Sequence, residues 1–262
     1  MKVLISNDDG IRATGLRILA QEMSKVADIY IAAPLNEKSG TSHGLTTTTP
    51  LRVYDHQMDD LTEHAWAVDG TPADCVKLAV DALMPSPPDI VLSGINHGPN
   101  LGTDIIYSGT VAAAMEGYLN GFPALALSAA GIRRGKGKGN YLYTAKLAVK
   151  LCQQIARDDF QTRVFFNVNV PGCHPEDVQG IVYTYMGWRW YNEPFSKRTD
   201  PSGRDYYWLQ GQIDDSKCGQ GSDVEACNKG FATITPIHAD FTDYALLNQL
   251  REQPFIFDPA EF

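Results

Sequence analysis

The strongest constraint on this chain is an alternation that repeats from Val3 to Pro171: a short apolar run, a polar break, then apolar residues at helical spacing. Val3-Leu4-Ile5 is too short for a helix and too continuous for a half-exposed strand, the pattern of a strand buried on both faces. Leu16, Leu19, Ala20, Met23 and Val26 then recur at the spacing of one helix face. Asp28-Ile29-Tyr30-Ile31-Ala32-Ala33 reads as the next strand, stopped by Pro34. Thr71-Pro72 starts a helix with a cap and a first-position proline, and Cys75, Val76, Leu78, Ala79 and Leu83 form its inner side. After Pro87-Pro88 comes a strand, Asp89 to Ser93, then a helix, Val111 to Leu119. Pro123 to Ser128 is strand-like, residues 131–139 form a flexible Gly/Lys-rich surface connection, and Tyr141 to Ala156 is helical. Arg163 to Val170 is the closing strand. Such alternation predicts an α/β fold with a mostly parallel sheet and helices on both faces.

The texture changes near Val178. Short β-like pieces and aromatics dominate, among them Tyr183, Tyr185, Trp188, Trp190, Tyr191 and Trp208, and helical spacing returns only at about Tyr244. This reads as an extended β arm and not as a second α/β unit. An arm this narrow buries little by itself, so its aromatic faces pack on the body or on a partner subunit. The expected division is a body over residues 1–177 and a β-hairpin arm with the C-terminal segment over 178–262.

Composition removes several classes. Lys and Arg number 22 against 31 for Asp and Glu, a formal net charge of −9, which disfavours nucleic-acid polymers as partners. No apolar run reaches the roughly 18 residues of a membrane-spanning helix. Met1 to Ser6 gives way to Asn7-Asp8-Asp9 too soon for a secretory signal, so a cytoplasmic location without a membrane partner is expected. The five cysteines, Cys75, Cys152, Cys173, Cys218 and Cys227, are odd in number and lack CxxC spacing. Reduced thiols are the expectation, and a Cys218–Cys227 pair is the less favoured reading.

The most informative string is Ser6-Asn7-Asp8-Asp9-Gly10, directly after the first strand, where open parallel sheets bind ligands. Two adjacent carboxylates are hard oxygen donors suited to Mg2+, Mn2+ or Ca2+. Neighbouring strand side chains point to opposite faces, so both acids reach one ion only after the chain bends, as Gly10 permits. A turn with solvated acids is the commoner fate of such a string; its place after a buried strand favours function. Pro34 to Gly44 follows strand two, and its small residues and hydroxyls let the chain approach an ion closely. His43 alone is more often a loop hydrogen-bonder than a catalyst. Ser93-Gly94-Ile95-Asn96 lies beyond a third buried strand, and the Asn96 amide oxygen suits a mostly carboxylate metal site. Tyr107-Ser108-Gly109-Thr110 opens a helix, whose free N–H groups and positive dipole end form an anion seat compatible with capping by Ser108 or Thr110. A cation there would neutralise a phosphate oxygen and help generate hydroxide from water, while the helix start positions the other oxygens. Neither a P-loop nor zinc-ligand spacing is present.

Ile5 to Gly10, the Ser39-Gly40 loop, Gly70 to Val76, Ser93 to Asn96, Tyr107 to Gly117, Asn167 to Pro171 and Thr235-Pro236 together resemble the survival protein SurE family. The likeness runs in order from Met1 to about Asp240. It implies a Rossmann-like α/β body with a C-terminal β segment used in oligomerisation, giving a homodimer or homotetramer. It also implies a metal-dependent phosphatase acting on nucleoside 5'- and 3'-monophosphates and on short polyphosphate. One divalent cation per subunit, Mg2+ or Mn2+, would sit on Asp8, Asp9, Ser39 and Asn96. Catalytic roles fall on Asp8 and Asn96, with Asp8 a metal anchor first and a general base second. The phosphate cradle falls on Asn100, Ser108, Gly109 and Thr110. One departure is Tyr244, which stands where family members often have a histidine four residues after the aspartate matching Asp240, so no catalytic role is carried to it.

Other classes predict different residues. A receiver-like signalling domain also carries an acidic pair after its first strand, but needs a phosphoaccepting aspartate where this chain has Asn96, and is less than half as long. A haloacid-dehalogenase-type phosphatase needs two aspartates separated by one residue, whereas Asp8 and Asp9 are adjacent, which favours attack by water. A non-catalytic assembly protein predicts no metal-stimulated phosphate release.

Overall fold

A computed structural model describes residues 1–58, 60–130, 140–157 and 163–253; the connection expected over 131–139 lies outside these residues. Strand β1 (Lys2–Ser6) is buried along nearly its whole length, as its continuous apolar run requires. Helix α1 (Thr14–Met23) buries Leu16, Leu19, Ala20 and Met23. It stops earlier than the spacing suggests: the Val26 N–H bonds the Met23 carbonyl in a turn, so Val26 lies outside the helix and is exposed.

Strands β2 (Asp28–Pro34), β3 (Val53–Asp55) and β4 (Ala65–Val68) follow. Helix α2 (Pro72–Leu78) opens on a capping box in which the Thr71 hydroxyl accepts from the Asp74 N–H and the Asp74 carboxylate accepts from the Thr71 N–H. It widens into a π-helical turn, Ala79–Leu83; Cys75, Val76 and Ala79 are buried and half-buried Leu78 packs on the same core, whereas Leu83, within the turn, is only half-buried. Strand β5 (Ile90–His97) runs further than the sequence suggests, because the Ser93 to Asn96 string stays in the strand with a register shift. A 3-10 turn (Gly102–Ile106) then leads into helix α3 (Gly109–Leu119). Strand β6 (Ala124–Ala129), helix α4 (Tyr141–Ile155) and strand β7 (Phe165–Val170) complete the alternation.

The later region holds strands β8 (Ile181–Tyr183), β9 (Trp190–Asn192), β10 (Phe195–Thr199), β11 (Asp205–Leu209) and β12 (Gln212–Asp214). Helix α5 (Asp223–Asn228), strand β13 (Ala232–Pro236) and helix α6 (Tyr244–Glu252) follow. Strand β9 pairs with β12, and β10 with β11, as two small antiparallel sheets forming the arm. Helix α5 is an addition to the sequence reading. The Ser222 hydroxyl caps it by accepting from the Glu225 N–H, and six residues are too few to show a helical period.

The central sheet has nine strands in the order β3-β4-β2-β1-β5-β6-β7-β13-β8. From β4 to β7 every neighbouring pair is parallel, and that order is the doubly wound Rossmann arrangement. Strands β13 and β8 continue the sheet beyond β7, with β13 antiparallel to it. Strand alternation sends Val3, Ile5, Leu92 and Leu127 to the face covered by α1 and α4, and Leu4, Val91, Ala126 and Phe165 to the face covered by α2 and α3. Among the described residues, no helix is long and apolar enough to cross a membrane. All five cysteines are free thiols, and Cys218 packs against Cys227 without bonding to it.

Candidate functional site

Strand order reverses between β1 and β5, and such a reversal leaves a crevice beyond the carboxyl ends of the two strands. The first loop turns there. The Asn7 side chain donates to the Gly10 carbonyl at 3.0 Å and accepts from its N–H at 3.1 Å, pinning a turn in which Gly10 adopts a φ of +96°. The bend inferred from the adjacent acids is therefore present, and Asn7 is the residue that locks it. The second loop is tied to the first by main-chain bonds from Ile11 N–H to the Pro34 carbonyl (2.9 Å) and from Lys38 N–H to the Asp8 carbonyl (2.8 Å).

A cavity of about 970 Å3 opens at this place, lined in part by Asp8, Asp9, Ser39, Asn96, Asn100 and Ser108. The other two expected site residues stand behind that lining. Thr110 is fully buried and donates its hydroxyl to Asp8 Oδ1. Gly109 seats the helix start on the same carboxylate, since a Cβ there would lie 2.8 Å from Asp8 Cβ and 3.1 Å from Oδ2. Ser108 caps α3 by accepting from the Val111 N–H at 3.1 Å. His43 sits elsewhere: its Nε2 lies 2.7 Å from Glu116 Oε2, anchoring the second loop to α3 and holding the Glu116 carboxyl below the usual range. Tyr244 donates its hydroxyl to Asp240, within the C-terminal segment.

Electrostatics single out the acidic pair. Burial, with the Asp9 charge adding to it, pushes the Asp8 carboxyl up to about 6 against the opposing hydrogen bond from Thr110. Burial and then Glu37 also raise Asp9, although the His97 N–H donates to it at 3.1 Å. Asn96 gives its amide N–H to the Gly98 carbonyl at 2.9 Å, which leaves the amide oxygen free to accept. Ser39 donates to Glu37 at 2.8 Å and keeps its oxygen lone pairs. Among the described residues the lining holds four acids, Asp8, Asp9, Glu37 and Asp104, and neither lysine nor arginine.

Two crowded carboxylates, a hydroxyl and an amide oxygen are a hard donor set, and a divalent cation relieves the charge that burial penalises. The residues present fit such an ion. Only two of these four donors are carboxylates, so the set differs from clusters of three or more His, Cys, Asp or Glu, of which the described residues hold none.

Several contributors lie outside the expected site set. The Asn169 side chain accepts from the Asn100 N–H at 2.8 Å and donates to the Asn100 carbonyl at 2.9 Å, clasping that residue's backbone from β7. Asn167 adds a bond to the same carbonyl, and Ser128 accepts from the Asn100 amide, both at 2.8 Å. Asn167 and Asn169 alternate on one face of a buried strand end, and that spacing is a signal from which they were recoverable. From the arm, Tyr191, Pro194 and Leu209 also line the cavity. Tyr191 donates to Asp104 at 2.6 Å, and burial, then the Asp104 carboxylate, push its phenol up to about 12, so it stays a donor.

The family model described as survival protein SurE matches residues 3–193. The 5'-nucleotidase SurE of Heliobacterium modesticaldum is 45% identical over 252 residues, spanning 96% of this chain and 91% of that relative. That of Pelotomaculum thermopropionicum is 45% identical over 253 residues, spanning 96% and 95%. The crystal structure of the SurE protein from Aquifex aeolicus superposes with a TM-score of 0.81 at 35% identity, covering 96% of this chain and 99% of that one.

Proposed function

The chain belongs to the survival protein SurE family and is a 5'-nucleotidase, a phosphomonoester hydrolase; we propose that it dephosphorylates nucleoside 5'- and 3'-monophosphates, and short polyphosphate, with one divalent cation per subunit, Mg2+ or Mn2+. Asp8, Asp9, Ser39 and Asn96 would hold the cation. When bound, such an ion supplies charge neutralisation on a phosphate oxygen and an activated water for attack. Asp8 has one oxygen committed to Thr110, which fixes the carboxylate and leaves its second oxygen for the ion. Catalytic roles rest on Asp8 and Asn96, with Asp8 an anchor first and a proton acceptor second. Asn100 and Ser108, with the N–H groups of Gly109 and Thr110 at the start of α3, would orient the phosphate oxygens.

The observation that carries this reading is the single cavity shared by Asp8, Asp9, Ser39, Asn96, Asn100 and Ser108 at the reversal of strand order. The test is phosphate release from a panel of nucleoside monophosphates and polyphosphates with Mg2+, Mn2+ or EDTA. Release that EDTA silences and Mn2+ or Mg2+ restores is expected; turnover indifferent to EDTA would refute metal dependence.

The same proposal assigns catalysis to residues 1–177 and assembly into a homodimer or homotetramer to 178–262. Its support is the exposed aromatics of the arm, Trp188, Trp190, Tyr207 and Trp208. A cytoplasmic location is supported by the five free thiols, and the acidic net charge of −9 argues against nucleic-acid polymers as partners.

A further inference from the structure

We infer that the arm supplies the seat for the nucleoside half of the substrate, with the Tyr191 ring and Leu209 as its apolar faces. The inference rests on the nucleotidase reading above and deepens it. A cavity of about 970 Å3 is far larger than one phosphate group needs. Its acids, amides and serine hydroxyls come from loops, strand ends and the α3 start of the body, whereas Tyr191, Pro194 and Leu209 come from the arm.

Strand alternation divides the aromatic run. Trp190 and Tyr191 are neighbours on β9 and point to opposite faces. Trp190 stacks on Trp188, with ring centroids 6.0 Å apart, while Tyr191 turns to the cavity. Tyr191 is pinned there. Its hydroxyl is 2.6 Å from Asp104, which also takes Arg189 Nη1 at 3.2 Å, and Arg189 Nε reaches Asp215 at 3.1 Å. That double pairing commits the arginine to the wall and not to a phosphate. A fixed aromatic ring, a proline and a leucine beside an acidic, hydroxyl-rich end make a seat for a flat uncharged heterocycle. A neighbouring cavity of about 530 Å3, with Val111 and Met115 in its wall, is also apolar, but shares only Ser108 with the acid-lined one.

The test compares wild type, Tyr191→Ala, Leu209→Ala and Met115→Ala, each checked for unchanged melting temperature and assembly state. Two quantities are read: the ratio of kcat/KM for adenosine 5'-monophosphate to kcat/KM for β-glycerophosphate, and the affinity for adenosine alone by calorimetry. Tyr191→Ala should lower both about tenfold, in line with the loss of one base–aromatic stack, and Leu209→Ala should lower both by a smaller factor. An equal loss on both phosphate esters, or a selectivity loss in Met115→Ala and not in Tyr191→Ala, would overturn the inference. The two readings fail separately. Adenosine binding that needs Tyr191, without phosphate release from any nucleotide, keeps the seat and removes the nucleotidase; nucleotide turnover indifferent to Tyr191 and Leu209 does the reverse.

Discussion

Asp8 is 4% exposed and Leu209 is 75% exposed, although both line the same cavity. The Asp8 side follows a strand buried in the sheet, and Asn7, Thr110 and the main chain of the second loop fix it. The Leu209 side is two short antiparallel pairs, held at the cavity by the Arg189–Asp104–Tyr191 contacts. The rigid side carries groups whose geometry must be exact for chemistry, at a cost in buried charge. The exposed side carries ring and aliphatic surface, which tolerates small displacements and, on the seat inferred above, would select among phosphate esters.

That contrast breaks first at Asp8. Its carboxyl sits at about 6, above the ordinary value of about 3.9. The folded chain holds that proton more tightly than the unfolded chain, so in EDTA stability falls as pH rises from about 4 to about 6. Asp8→Asn removes a penalty of about 3 kcal/mol above that window. Activity should drop by about 1,000-fold or more, while melting in EDTA at pH 8 moves upward. Near-normal turnover, or a lower melting temperature, would break the assignment of buried charge to function.

Asn169 is the next test of the rigid side. Asn169→Leu removes both side-chain bonds to Asn100 and orphans a buried N–H, costing about 1–3 kcal/mol of stability. Displacement of Asn100 should lower kcat about tenfold or more, and a change in KM alone would count against Asn169 as a positioning residue. On the exposed side, Arg189→Met leaves Asp104 and Asp215 without their cation. Denaturant unfolding should show a loss of about 3 kcal/mol, and KM for nucleotides should rise more than kcat falls.

The same contrast decides what the sequence reveals. Val3-Leu4-Ile5 and Ile90-Val91-Leu92 are continuous apolar runs because both their faces are covered, so parallel strands and the crevice beyond them can be read directly. Asp8 and Asp9 stand out in the sequence by their place directly after such a strand, although a turn with solvated acids is the commoner fate of adjacent acids. The span of α1 is overread at Val26 because periodicity cannot see the turn at Met23 that ends the helix. Tyr191 cannot be told from Trp190 by composition, since only pairing with β12 fixes which of them faces the cavity. The positions of β8 and β13 in the central sheet are likewise set by tertiary pairing, for which three- and five-residue segments carry no local mark.

The most direct test of the account is Mn2+ binding to the bare protein, followed by electron paramagnetic resonance. The account predicts one tight site per chain, weakened about 100-fold or more when either Asp8→Asn or Asp9→Asn removes a charged ligand. Equal stoichiometry and affinity in wild type and both variants would contradict it.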